Sequence, residues 1–151
     1  MKQIQTCRES WATHISKLFN ADSRIMAVSG KGVFHNSYGV PGPKIGTLYT
    51  RTTDNSKPFS YKYQDGVIPD VIFFLIGAND YSHPINPNPN KFIFAYKQML
   101  ETTLKELWNV SPHSRPLFIN VCASEFPKEQ QYTVKTAVKE FSLEYKYTYY
   151  V

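Results

Sequence analysis

The strongest constraint in this 151-residue sequence is the run Val71-Ile72-Phe73-Phe74-Leu75-Ile76, which contains no polar residue. A strand with one solvated face alternates apolar and polar residues, whereas a run without alternation is buried on both faces. Strands of that kind lie inside parallel sheets, because helices cover both sides of such sheets. The run therefore predicts an interior strand of an α/β domain.

The segments around this run alternate between helical and strand patterns. Apolar residues recur every three or four positions in the predicted helices, and short apolar runs bounded by turn residues mark the predicted strands. The predicted helices are residues 9–19, 91–108 and 129–145, with one or two helical turns at 45–49, and the predicted strands are residues 24–28, 71–76, 116–122 and 147–151. This order predicts a three-layer α/β/α sandwich with a parallel sheet. The absence of a repeat or linker predicts one domain over residues 1–151.

Composition and charge exclude several classes of protein. Hydrophobic residues make up 42% of the chain and charged residues 19%, which does not favour intrinsic disorder. The net charge is +5, but the basic residues are scattered, so we expect no nucleic-acid partner. No apolar run approaches the roughly 20 residues that a membrane span needs, and the N-terminus lacks a signal-peptide pattern, so the compartment stays open.

The two cysteines, Cys7 and Cys122, do not have the spacing of metal ligands. We therefore expect no metal site at the cysteines. Two free thiols are the default interpretation, and one disulfide is also compatible with the sequence.

Two predicted strands end in residues suited to binding an anion. These ends are Ser29-Gly30-Lys31-Gly32 and Gly77-Ala78-Asn79-Asp80. Ligands of open parallel sheets bind beyond the carboxyl ends of the strands. A backbone N–H next to glycine and an Asn amide are the donors of an oxyanion hole, which stabilises a tetrahedral acyl-transfer intermediate. The alternative is that both ends are tight strand-to-helix turns in which Asp80 bonds loop backbone.

The same residues resemble conserved blocks of the SGNH hydrolases. The strand ending in Gly77-Ala78-Asn79-Asp80 looks like the third block, and the glycine of Val28-Ser29-Gly30-Lys31-Gly32-Val33 looks like that of the second. Further similarity extends over residues 9–151 and is greatest to carbohydrate esterase family two. Members of that family remove acetyl groups from polysaccharides. The segments that carry this similarity are Glu9-Ser10-Trp11-Ala12, Asn20-Ala21-Asp22, Phe34-His35-Asn36 and Pro69-Asp70.

The resemblance implies a flavodoxin-like sheet and an acetylated carbohydrate as substrate, with no cofactor. It also implies that the Gly30 N–H and the Asn79 amide form the oxyanion hole. Gly77 and Asp80 would shape the turn that presents Asn79.

The sequence departs from that family at the nucleophile and the base. The family's Ser lies in a Gly-Asp-Ser block on a strand before the first helix, and residues 1–8 contain no Gly, Ser or Asp. The family's His lies in an Asp-x-x-His block after the last strand, which is where the sequence stops. Asp80 and His83 have that spacing but follow the third block, so we interpret the match as coincidence. We therefore expect an incomplete esterase domain without the catalytic pair.

Two other functions remain open from the sequence. The first is a nucleotide-binding module, because Gly30 and Gly32 follow a predicted strand, although His35 stands where the third glycine of Gly-x-Gly-x-x-Gly belongs. The second is a non-catalytic descendant that binds glycan or protein through an aromatic surface, for which the chain offers eleven Tyr and ten Phe.

Overall fold

The computed structural model describes residues 10–48, 67–82 and 86–151. In these ranges helices and strands alternate along most of the chain. They are α1 (Trp11–Leu18), α2 (Ile45–Leu48), β1 (Val71–Phe74), α3 (Pro89–Val110), β2 (Leu117–Asn120), α4 (Lys128–Ser142) and β3 (Thr148–Tyr150), with a 3-10 turn at Ser37–Gly39. Each predicted helix and strand from residue 45 onward is confirmed to within three residues at its ends.

The three strands form one parallel sheet in the order β1-β2-β3. Val71 pairs with Leu117, and Phe118 pairs with Thr148. The two crossovers are α3 and α4, which pack against each other. The predicted α/β fold with a parallel sheet is therefore confirmed.

The core lies between the sheet and these two helices. Phe118 of β2 is fully buried, and its ring centroid lies 5.3 Å from those of Phe74 and Tyr145 and 6.0 Å from that of Phe141. The core face of α3 follows the helical period that the sequence predicts; its buried residues are Phe92, Tyr96, Met99, Leu100, Thr103, Leu104 and Leu107. Burying each large apolar side chain contributes about 1.5–3 kcal/mol.

Local sequence also explains where the helices begin. The Asn88 side chain accepts a hydrogen bond from the Lys91 N–H at 3.2 Å, and Pro89 occupies the first turn of α3, where no N–H is needed. Ser10 caps α1 in the same way through the Thr13 N–H at 3.3 Å. None of the helices in the described ranges is long and apolar enough to cross a membrane.

Side chains on the opposite face of the sheet are more exposed to solvent. Successive strand residues point to opposite faces, so Phe73 lies across the sheet from Phe74, and its ring contacts Trp11 of α1 at 6.1 Å. On the same face Leu117 is 36% exposed and Tyr149 is 51% exposed. Among the described residues, no strand pairs with the second edge of β1.

The predicted strand at residues 24–28 is wrong. Residues 21–28 form no strand, and Ile25 and Met26 are each 48% exposed. A strand exists only where a neighbouring strand takes up its backbone hydrogen bonds, and no described segment pairs with this one. The segment is apolar, as the prediction requires, but no neighbouring strand that could pair with it is among the described residues.

Candidate functional site

Two loops come together beyond the carboxyl end of β1. We call residues 29–36 the glycine loop and residues 77–82 the Asn-Asp turn. The Asn79 side-chain amide donates to the Lys31 carbonyl at 2.9 Å, and the Asp80 carboxylate accepts bonds from the glycine loop. The structure thus joins the two segments that the sequence singles out, although only the second of them follows a strand.

Asp80 is the centre of this junction. Its side chain is fully buried, with Oδ2 accepting from the Val33 N–H at 2.8 Å and Oδ1 accepting from the N–H groups of Phe34 at 2.6 Å and His35 at 2.7 Å. Burial raises the pKa of Asp80 above its ordinary value, while the three N–H donors oppose that rise. Hydrogen bonds to a charged group contribute about 1.5–3 kcal/mol each, so Asp80 holds the glycine loop in one conformation.

Two glycines let the loops approach this closely. A Cβ on Gly32 would overlap the His35 carbonyl oxygen and lie 2.6 Å from Asp80 Oδ2, so no larger residue fits there. Gly77 has φ of +107°, which side chains rarely adopt, and a Cβ there would lie 3.2 Å from the Phe92 ring. Both positions therefore require glycine for the turn to form.

The proposed oxyanion donors lie on these two loops. The bond to Lys31 uses one of the two Asn79 amide hydrogens, and no described residue accepts the other. Gly30 has φ of +73°, and its carbonyl accepts the Ser37 N–H at 2.8 Å. Its own N–H has no backbone acceptor within the described residues. Within the part of the chain that the structure describes, each loop thus has one N–H without such an acceptor.

Three further side chains support the junction and were missed from the sequence. Asn36 is buried, accepts from the Gly32 N–H at 3.3 Å and donates to the Val40 carbonyl at 3.0 Å. The Ser37 and Ser82 hydroxyls lie 2.9 Å apart, which adds a second bridge between the loops. The only available signal was the position of Asn36, four residues after a glycine whose N–H needs an acceptor.

The described residues offer weak candidates for a nucleophile. Burial raises the pKa of the Cys122 thiol, and this effect outweighs the hydrogen bond with Tyr150, which lowers the pKa; the reactive thiolate is therefore disfavoured. Asp80 accepts bonds from three backbone N–H groups of the glycine loop, while His83 and Cys7 lie outside the described residues. Within the described ranges no three His, Cys, Asp or Glu side chains converge in a way that could hold a metal ion.

Comparison with solved structures identifies the fold. Over 95% of its length the chain superposes on a family two carbohydrate esterase from Cellvibrio japonicus, with a TM-score of 0.77 and 19% identity. It superposes over the same share, with a TM-score of 0.72 and 23% identity, on a family two carbohydrate esterase from Clostridium thermocellum solved in complex with cellohexaose. The chain therefore has the fold of these esterases, as the sequence blocks predict.

Comparison of sequences finds a relative of the same kind. The chain is 32% identical to the cellulase/esterase CelE of Acetivibrio thermocellus over 93 aligned residues, and the aligned region covers 60% of this chain. No family model matches the chain. The chain spans 42% and 43% of the two solved esterases and 11% of CelE.

Proposed function

We propose that these 151 residues form the oxyanion-stabilising part of a carbohydrate esterase that removes acetyl groups from a polysaccharide. The observation that carries the proposal is the junction of the glycine loop and the Asn-Asp turn. It places Gly30 and Asn79 on two loops that Asp80 and Ser82 tie together. The likeness in fold to family two carbohydrate esterases supports the same function.

In this mechanism the attack on the acetyl carbonyl moves negative charge onto its oxygen. The Gly30 N–H and the free Asn79 N–H donate to that oxygen, and because the loops are already fixed, little reorganisation is needed during the reaction. Asp80 acts as a positioning residue through the loop backbone. Ester hydrolysis of this type involves no cofactor, since a serine attacks and water releases acetate.

The serine and its base are not supplied by the residues that form this junction. The sequence contains no Gly-Asp-Ser block. We therefore propose that the 151 residues by themselves do not hydrolyse esters. The proposed substrate class is supported by the relatives, one of which was solved in complex with cellohexaose.

A chimera tests the role of the two loops. Residues 28–36 and 75–82 would replace the equivalent segments of the Clostridium thermocellum esterase, which contributes the rest of the site. We expect the chimera to hydrolyse 4-nitrophenyl acetate and Asn79→Ala to lower kcat by roughly 100- to 1000-fold, because one oxyanion donor is lost. Ala78→Ser, at the exposed neighbouring position, is the matched control and should retain the rate.

Two outcomes would contradict the proposal. A chimera in which Asn79→Ala is as active as its parent would show that this amide does not stabilise the oxyanion. Turnover of the same ester by the unmodified 151 residues, abolished by Asn79→Ala, would show that they already contain a nucleophile and a base.

A second candidate function is binding without hydrolysis by a descendant of the esterase fold. It is favoured by the lack of a Gly-Asp-Ser block beside an intact pair of loops. In that case the 151 residues bind an acetylated or unmodified glycan and cleave no ester.

A further inference from the structure

Two adjoining concavities lie along the outer side of α3. Each has a volume of about 410 Å³, and both are lined by Asn90, Phe94 and Gln98. Phe34 of the glycine loop borders the first, and Tyr132 of α4 borders the second. Both concavities are open to solvent along one side, so they suit an extended ligand that lies along the surface better than a small molecule enclosed on all sides.

Two aromatic rings on this surface have no role in the core. Phe94 is 63% exposed and Tyr132 is 66% exposed, although both lie in well-formed helices whose other faces are buried. A large apolar ring in water is unfavourable, and aromatic rings are energetically valuable mainly when another surface covers them. A pyranose ring presents a flat C–H face that stacks on such rings.

The polar groups beside these rings suit hydroxyls. Asn90 and Gln98 each offer an amide donor and an amide acceptor, so they bond neutral hydroxyls in either direction. The Thr136 hydroxyl donates to the Tyr132 carbonyl at 2.8 Å and can accept from a ligand. An aromatic platform flanked by neutral amides is therefore chemically matched to a carbohydrate.

The charge of the lining does not favour an anionic ligand. The two lysines, Lys91 and Lys97, are balanced by Glu101 and Glu140. Lys97 is also held by ion pairs to Glu144 at 2.8 Å and to Glu101 at 3.8 Å. The surface thus has no net charge although the whole chain carries +5, and a neutral ligand is the better complement.

We propose that the outer side of α3 is a glycan-binding groove that takes a neutral, linear polysaccharide chain stacked on Phe94 and Tyr132. The groove requires no ester hydrolysis, so this inference goes beyond the proposed function. Phe34 connects the two regions, because its backbone N–H is bonded to Asp80 while its side chain borders the groove. A polysaccharide in the groove is thereby tethered beside the glycine loop.

Isothermal titration calorimetry of the 151-residue protein with cellohexaose, xylohexaose and mannohexaose tests the groove. We expect saturable binding of at least one of these neutral hexasaccharides. Phe94→Ala and Tyr132→Ala should each weaken it about five- to tenfold, because a stacking surface is lost. Tyr149→Ala, an exposed tyrosine on β3 in the sheet, is the matched control and should leave the affinity unchanged.

Several outcomes would overturn the proposal. These are absence of binding to all three sugars, equal affinity in Phe94→Ala and the unmodified protein, and loss of binding in Asn79→Ala alone, which would move the glycan to the oxyanion loops. Tighter binding of a single-stranded oligonucleotide than of any sugar would contradict the neutral ligand. A dimer that sedimentation detects and Phe94→Ala abolishes would assign the surface to a second copy of the chain. The chimera assay above is independent of all of these, because its readout does not depend on the groove.

Discussion

Replacing Asp80 by Asn changes one oxygen to an NH₂ group at the centre of the loop junction. Asn retains one acceptor oxygen, which can keep the bonds from Phe34 and His35, but its NH₂ then faces the Val33 N–H, donor against donor. One charge-assisted bond worth about 1.5–3 kcal/mol is lost, and the two others fall to the value of neutral bonds. We expect the free energy of unfolding to drop by about 2–4 kcal/mol at neutral pH.

Urea unfolding followed by tryptophan fluorescence measures this difference. Asp70→Asn is the matched control, because Asp70 is exposed just before β1 and its change should stay within about 0.5 kcal/mol. A loss below about 0.5 kcal/mol in Asp80→Asn as well would refute the reasoning, since it would mean that the three hydrogen bonds do not stabilise the fold.

The pH dependence of the same comparison has a defined sign. Because burial raises the pKa of Asp80, the folded state binds this proton more readily than the unfolded state. The contribution of the group is therefore fully present below its ordinary pKa and is lost as pH rises through the folded pKa. The stability advantage of the unmodified protein over Asp80→Asn should widen as pH falls from neutral. An advantage that narrows instead would show that the three N–H donors outweigh burial.

Two further substitutions address the loop and the sheet edge. Gly32→Ala should lower the free energy of unfolding by about 3 kcal/mol because its Cβ overlaps the His35 carbonyl, whereas Gly46→Ala, with ordinary contacts, should be nearly neutral; equal melting temperatures for the two variants would contradict this. An unpaired strand edge promotes association between molecules, so sedimentation velocity should detect association that increases with protein concentration. Val71→Lys should reduce this association, and Leu143→Lys, at an exposed site outside the sheet, should not. Equal association of the unmodified protein and both variants would show that the contact does not involve the edge of β1.

The part of the fold built from local patterns could be predicted from the sequence. The non-alternating run at β1, the apolar stripe of α3 and the cap at Asn88 each depend on residues close together in the chain. The strand predicted at residues 24–28 was wrong because strand formation does not depend on local sequence alone. An apolar run favours burial, but strand pairing also requires a partner strand from elsewhere in the chain.

The sequence predicts which residues lie at the site, but not the hydrogen bonds that hold them together. Gly30, Gly77, Asn79 and Asp80 were singled out from two blocks, and the structure brings those blocks together. The three bonds that Asp80 accepts, and the bridge from Ser37, depend on side-chain geometry across more than forty residues. No spacing rule in the sequence carries that information. The oxyanion role of Gly30 and Asn79 stays a prediction.

The long-range bonds of Asp80 also have a consequence for folding. They join positions 45, 46 and 47 residues apart, and closing a loop of that length costs roughly 3 kcal/mol of chain entropy. We therefore expect the glycine loop to gain its conformation after β1 has formed. The amide protons of Val33, Phe34 and His35 can exchange with solvent only when their hydrogen bonds to Asp80 break. Their exchange rates therefore report how often this loop opens in the native protein.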